Sequence, residues 1–105
     1  MATTQQLFDD LSQEYLIRPT VSTGRMLHAE GLKVNGKVFA FLSNDRLILK
    51  LPAERVIALV ANGEAHIFTS GNRKMREWVA ITTQETWEPL LAESYTFVTS
   101  QTRAP

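Results

Sequence analysis

The sequence predicts an α+β domain with the element order α-β-β-β-α-β-β-α and a five-stranded antiparallel sheet, arranged as a two-layer sandwich. Two observations indicate this class. Apolar residues recur with a helical period at both ends of the chain and mostly alternate with a period of two between them. The connections within each group of strands are too short for parallel crossovers. A length of 105 residues suits one domain, so we assign residues 1–105 to a single unit.

The first element is an amphipathic helix over about residues 4–16. Its apolar residues stand at helical spacing, and they are Leu7, Phe8, Leu11 and Tyr15. Thr3 or Thr4 supplies a side chain that caps the first turn. The helix ends at Arg18-Pro19-Thr20, because the residue before a proline is pushed out of helical dihedral angles.

A three-stranded meander follows the first helix. Residues 32–34 and 38–42 flank Asn35-Gly36, a dipeptide that readily takes the positive φ angles of a tight hairpin turn. A second turn at Ser43-Asn44-Asp45 leads into Arg46–Leu51, where leucines alternate with other residues.

The second half of the chain predicts a short helix, a second hairpin and a final helix. Pro52 starts the short helix, which closes at Asn62-Gly63. Its predicted apolar face consists of Val56, Ile57 and Val60. Strands at 65–69 and 75–82 surround a turn at Ser70-Gly71-Asn72. The last helix runs from about Glu85 to Ser100, with an apolar face made by Trp87, Leu90, Leu91, Tyr95 and Val98. We expect residues 101–105 to fray.

Composition narrows the functional classes. The chain has no cysteine, which excludes disulfides, thiolate nucleophiles and sulfur-ligated zinc. Eleven basic and eleven acidic residues cancel, so no overall field draws the protein to nucleic acid or to an anionic membrane. The first residues do not resemble a signal peptide, and no apolar run is long enough to cross a bilayer, so we expect a cytoplasmic location.

The sequence shows no assembled catalytic or cofactor site. His28 and His66 are the two histidines, and they lack a third ligand at metal-site spacing. Serine-nucleophile motifs do not occur, and the glycines stand singly rather than in a phosphate-binding loop. Glu30, Glu64 and Glu77 are isolated carboxylates. We therefore predict a protein that is not an enzyme and that holds neither metal nor cofactor.

One local charge cluster lies at the predicted tip of the second hairpin. Arg73, Lys74 and Arg76 surround Met75 and precede Trp78. Arginine and lysine pair with phosphates or acidic partners, and an indole offers a stacking surface. The same charges are also common on a solvated hairpin tip, where they protect a sheet edge. Three cations supply weak, salt-sensitive nucleic-acid binding.

The sheet carries apolar residues on both predicted faces. Alternation places Val38, Ala40 and Leu42 on one face and Phe39 and Phe41 on the other. Ile48 and Trp78 also oppose the main core positions of their strands. Either one face presents an apolar patch that binds a partner, or the helices are divided between the two faces and cover both.

Several segments in order resemble the TfoX/Sxy family, in particular its stand-alone amino-terminal domains, which are related in fold to YjbR-like proteins. The matching residues lie between Gly24 and about Val98, and include Gly24-Arg25-Met26, Gly31 to Ala40, Leu49 to Val56, Met75-Arg76-Glu77-Trp78-Val79, Trp87 and Leu90-Leu91-Ala92-Glu93. The resemblance implies an α+β fold with a five-stranded antiparallel sheet. It implies no catalytic residues, and we expect the protein to act without the carboxy-terminal domain of the named competence regulators.

From these observations we expect a non-enzymatic protein-interaction or regulatory module. It would hold a protein partner or a second copy of itself through an open sheet face or an exposed edge. The alternative is a weak DNA-binding regulatory domain that uses the basic hairpin at residues 73–76. The residues expected to make contacts are Arg73, Lys74, Arg76, Trp78, Phe39 and Phe41.

Overall fold

A computed structural model describes residues 3–26, 29–70, 73–81 and 83–102. Three helices and six strands follow in the order α1 (Thr4–Leu16), β1 (Val21–Met26), β2 (Ala29–Val34), β3 (Lys37–Ser43), β4 (Arg46–Lys50), α2 (Ala53–Ala61), β5 (Ala65–Ser70), β6 (Arg73–Ile81) and α3 (Trp87–Thr102). One 3₁₀ turn, Gln84–Thr86, precedes α3. The α+β class and the antiparallel sheet are confirmed.

The sheet has six strands in the spatial order β1-β2-β3-β4-β6-β5, and all neighbouring strands are antiparallel. The prediction of five strands is wrong because it omits β1. Val21 is the one side chain in β1 identified as buried. Ser22, Thr23 and Gly24 then interrupt any apolar alternation. An edge strand of this kind forms through backbone pairing, which leaves little trace in the side-chain pattern.

Turn and capping residues act as the sequence predicts. Asn35 and Gly36 have φ angles of 52° and 83° between β2 and β3. Asn44 and Asp45, at 52° and 62°, make the next hairpin turn, and both turns use the positive φ angles that suit a twisted hairpin. Thr3 caps α1: its side chain accepts a hydrogen bond from the Gln6 amide, and the Gln6 side chain accepts one from the Thr3 amide.

Helix boundaries differ from the predictions by a few residues. Pro52 is the N-cap of α2 rather than its first helical residue, and Asn62 and Gly63 close the helix as expected. The last helix continues to Thr102, beyond the predicted end at Ser100. The side chain of Asn35 donates to Thr102 Oγ1 at 3.0 Å, and this contact ties the extra turn to the first hairpin. Gly71, Asn72, Thr82 and residues 103–105 of the predicted tail lie outside the described residues.

The main core contains residues of all three helices and of one face of the sheet, which we call the helix face. Buried side chains from every helix and from all six strands belong to this core, and they include Leu11, Leu32, Phe39, Leu49, Leu59, Val79, Trp87 and Leu91. Strand positions directly opposite one another share a face, so Leu47, Ile81 and Ala65 form one continuous row across β4, β6 and β5. A second, smaller cluster occupies the other side, which we call the opposite face.

None of the helices in the described part of the chain is long and apolar enough to span a membrane.

Candidate functional site

A β-bulge separates Phe39 from Phe41, two residues expected on the same face. Leu32 pairs with Ala40 while Lys33 pairs with Val38, so Phe39 is an extra residue in β3. The extra residue reverses the alternation, and Phe39 lies fully buried in the helix-face core next to Ala40. Val38 instead packs against the opposite-face cluster. The face predicted for Phe39 and for Val38 is therefore wrong, and Phe39 offers no contact surface.

Phe41 keeps its predicted face and forms the centre of the opposite-face cluster. The cluster consists of Phe41, Ile48, Trp78 and Ala80, with Val38, Phe68 and Met75 packed around it. The ring of Phe41 lies 5.7 Å from the rings of both Phe68 and Trp78. Phe41 has no exposed surface and Trp78 has 8%. The opposite face is thus a second small core covered by its own side chains.

A large irregularity in β6 lies beside this second core. Ile67 pairs with Val79 and Thr69 pairs with Lys74, so residues 75–78 stand opposite Phe68 alone. Such an insertion bends its strand and increases the local twist. Phe68 and Met75 lie in this irregular stretch, and both pack onto the opposite-face cluster.

The basic hairpin is only partly described. The backbones of Arg73 and Lys74 belong to β6, paired with Ser70 and Thr69, while the side chains of these four residues, apart from the exposed Thr69, are not described. Arg76 is exposed. Trp78 faces inward toward Phe41, and its ring lies 6.0 Å from Lys50 Nζ, so little of the indole is left for stacking on another molecule.

Cations gather on the opposite face around the second core. Lys33 pairs with Val38, Lys50 with Trp78, and Arg46 with Ser43, and each pair lies on that face by register. Among the described positions that the register assigns to this face in β1 to β4, no aspartate or glutamate occurs. The part of this rim that β2 and β4 form is therefore basic, although the chain as a whole is neutral.

An apolar groove opens on the helix face at the outer edge of the sheet, between α2 and the β5–β6 hairpin. We call it the β5 groove. Its volume is about 540 Å³, and it is lined by Ala53, Val56, Ile57, Ile67, Met75 and Arg76. Ile57 is 69% exposed and Ile67 is 44% exposed. Two of the large exposed aliphatic side chains in the described residues thus meet at one place.

Sequence reasoning missed the β5 groove because it placed Ile57 on the buried face of α2. Val56 and Leu59 are the buried residues of that helix. Ile57 follows Val56 by one position, which is about 100° around a helix with 3.6 residues per turn. That angle turns Ile57 to the flank of the helix, over β5. A helical wheel of α2 shows that Ile57 lies on the flank of the helix. It does not show which strand that flank covers.

A second groove lies between α2 and α3. It encloses about 830 Å³, and its lining includes Leu51, Ala58, Pro89, Ala92 and Phe97. Arg55 and Glu93 link the two helices across it through two hydrogen bonds of 2.9 and 3.1 Å. This bidentate hydrogen bond raises the pKa of Arg55. Both side chains are about two-fifths exposed, so the ion pair contributes little to stability.

Titratable groups do not form a reactive cluster among the described residues. No group of three or more histidine, aspartate or glutamate side chains there is placed to hold a metal ion. His66 is exposed on β5, and His28 lies outside the described residues. Arg18 stacks on Tyr15 and Tyr95, with its Cζ 4.7 and 4.5 Å from the two ring centres. Burial raises the pKa of Tyr15, whereas a hydrogen bond from Arg18 lowers the pKa of Tyr95.

Comparison with known families supports the YjbR-like relatives of the TfoX/Sxy resemblance. The family described as YjbR matches residues 19–97, which is most of the chain. The chain therefore belongs to the YjbR family. The comparison with curated proteins gives no match.

Proposed function

We propose that this YjbR-family domain is a non-enzymatic protein-interaction or regulatory module that binds its partner at the β5 groove. The observation that carries the proposal is the convergence of two exposed aliphatic side chains, Ile57 and Ile67, in one groove beside an edge strand. Exposed apolar residues scattered singly are ordinary, whereas a contiguous patch marks an association surface.

The lining of the β5 groove supports binding rather than catalysis. Five of its six lining residues are apolar, and Arg76 supplies the one charge among them. A strand edge provides backbone donors and acceptors, and neighbouring apolar pockets select side chains. An extended segment of a partner protein fits this combination. The resemblance to TfoX/Sxy amino-terminal domains supports a regulatory setting.

The architecture proposed with this function is a two-layer helix-on-sheet sandwich. The contribution of all three helices to one core supports this arrangement. In such an arrangement the partner would bind at the side of the molecule, where the helix layer and the sheet layer meet at β5.

A photo-crosslinking amino acid tests the proposal. Placed at Ile57, it is expected to form a protein adduct in cells of the source organism. Ile17, which is 83% exposed and does not line the β5 groove, is the matched control position. The adduct at position 57 should disappear when Ile67→Lys is added to the same chain. The proposal is wrong if position 57 yields no adduct, or no more than position 17.

A second candidate function is weak nucleic-acid binding through Arg73, Lys74 and Arg76. The basic rim of the opposite face, with Lys33, Arg46 and Lys50, favours it. Fluorescence anisotropy with labelled duplex DNA should then show binding that weakens steeply with salt. Changing Arg73, Lys74 and Arg76 together to glutamine should abolish it, whereas the same change at Lys37 should not. Absence of binding at low salt would end this alternative.

A further inference from the structure

The outer edge of β5 is suited to pairing with another strand. In the sheet order β5 is a terminal strand, and no other strand of the described part of the chain pairs with its outer edge. Natural sheets protect such edges with lysines, prolines or inward-pointing charges. The sequence of β5, Ala-His-Ile-Phe-Thr-Ser, contains none of these. The outer edge of β5 therefore carries none of these side-chain devices against strand addition.

The other terminal strand differs in this respect. Strand β1 carries Gly24 and Arg25. A glycine inside a strand weakens that strand, and a charged residue on an edge strand disfavours pairing with another chain. Of the two edges, β5 is the one whose sequence permits symmetric pairing.

We propose that two copies of this chain pair through their β5 strands, antiparallel and about a two-fold axis at Ile67. This inference rests on the proposed use of the β5 groove and names its occupant as a second copy. Ile67 would lie opposite the partner subunit's Ile67, and Ala65 opposite the partner subunit's Thr69. The two sheets would become continuous, and the two β5 grooves would join across the axis.

The sequence of β5 is compatible with two-fold pairing to a second copy. In a two-fold interface each surface must complement itself, so like charges near the axis repel. The pairs made by this register are isoleucine with isoleucine, histidine with phenylalanine, and alanine with threonine, and none places two like charges together. Zero net charge also removes the long-range repulsion between copies. Ile57 of each copy, exposed above β5, would lose solvent contact in the joined groove.

Sedimentation equilibrium over a concentration series is the test. The unmodified chain is expected to dimerise. Ile67→Lys should weaken dimerisation by roughly a hundredfold or more, because it places two ammonium groups together at the axis. Ile17→Lys introduces the same charge at an exposed isoleucine outside the groove and should leave the dimer unchanged. Far-ultraviolet circular dichroism checks that each variant keeps its fold.

A charge-swap experiment locates the axis. Ile67→Lys and Ile67→Glu should each be monomeric alone and should form a heterodimer when mixed, because opposite charges then meet across the axis. A monomeric unmodified chain at every concentration, or a dimer insensitive to Ile67→Lys, overturns the inference. If the chain is monomeric while crosslinking at position 57 captures a different protein, the proposed function stands and the second copy is the wrong occupant.

Discussion

Two glycines in adjoining strands differ in what surrounds them. A Cβ added at Gly31 would lie 2.6 Å from the Ala40 carbonyl oxygen and 2.9 Å from Phe41 Cβ. A Cβ added at Gly24 would meet the Lys33 side chain at 2.6 Å. The atoms that obstruct a side chain at Gly31 belong to the backbone and to a buried aromatic residue. Those at Gly24 belong to the flexible methylene chain of Lys33. Gly31 is therefore the position where β2 and β3 require a residue without a side chain.

Gly31→Ala should lower the free energy of unfolding by about 1–3 kcal/mol, because the strands must move apart to fit the methyl group. Gly24→Ala, the matched control, should change it by less than about 0.5 kcal/mol, because Lys33 swings aside. Chemical denaturation of both variants provides the comparison. Equal effects of the two substitutions would contradict this account of Gly31.

The two tyrosines of the chain share one arginine but have opposite pKa shifts. Burial raises the pKa of Tyr15, and the hydrogen bond from Arg18 lowers the pKa of Tyr95. As pH rises, the folded protein should ionise Tyr95 first and Tyr15 later. Ultraviolet titration of phenolate absorbance resolves the two steps.

Arg18→Gln should raise the pKa of Tyr95 by removing the donor that favours its phenolate. Arg55→Gln removes an arginine elsewhere and should leave the titration unchanged. In denaturant both tyrosines should ionise together near the ordinary value of about 10. A single merged ionisation in the folded protein would refute the assignment.

At the scale of elements, α3 and β3 depend on each other through Ser94. The buried Ser94 hydroxyl donates to the Phe39 carbonyl at 2.8 Å. Phe39 is the bulged residue of β3, which the ladder with β2 skips. A helix side chain thus satisfies a backbone group at the point where the sheet pattern is interrupted. In α1, Ser12 donates at 2.7 Å to the Phe8 carbonyl, a group that also accepts the regular helical hydrogen bond.

Ser94→Ala should destabilise the fold by about 1–3 kcal/mol, because it leaves the Phe39 carbonyl buried without this donor. Ser12→Ala is the matched control at another buried serine, and it should be nearly neutral since the Phe8 carbonyl keeps its helical donor. Thermal and denaturant unfolding measure both. If Ser94→Ala is as mild as Ser12→Ala, the hydroxyl is not what stabilises the bulge.

For the molecule as a whole, the sheet separates two cores of unequal size. The large core contains residues of all three helices, and the small one on the opposite face contains strand residues alone among those described. Phe39 and Phe41 are fully buried on different sides of the sheet. Their burial indicates that the small core contributes to stability and is not an open binding face.

Phe41→Ala should therefore cost about 3–5 kcal/mol, comparable with Phe39→Ala, as expected for large-to-small changes at buried sites. If Phe41→Ala proves too unstable to purify, Phe41→Leu should show a smaller loss in the same direction. Denaturant unfolding monitored by tryptophan fluorescence reports on both cores, because Trp78 lies in the small core and Trp87 in the large one. A cost below about 0.5 kcal/mol at Phe41 would mean that the opposite face is open to solvent.

The sequence by itself determined the helices, both described hairpin turns, the meander and the antiparallel class. These features depend on neighbours within a few residues: helical spacing, Thr3 and Gly63 at helix ends, and the positive φ angles of Asn35 and Asn44. It also indicated an interaction role, which stays a prediction. The family that matches the chain is YjbR, which the TfoX/Sxy resemblance names as a fold relative.

Only the tertiary structure decided which side chains are accessible. One bulge moved Phe39 from one face to the other, and the packing of α2 over β5 exposed Ile57 beside Ile67. Strand alternation predicts a face only while the register is unbroken, and a helical wheel predicts a buried stripe without naming the strand beneath its flank. Most of the fold followed from local patterns, apart from the edge strand β1, whereas the candidate site depends on contacts between residues distant in the sequence.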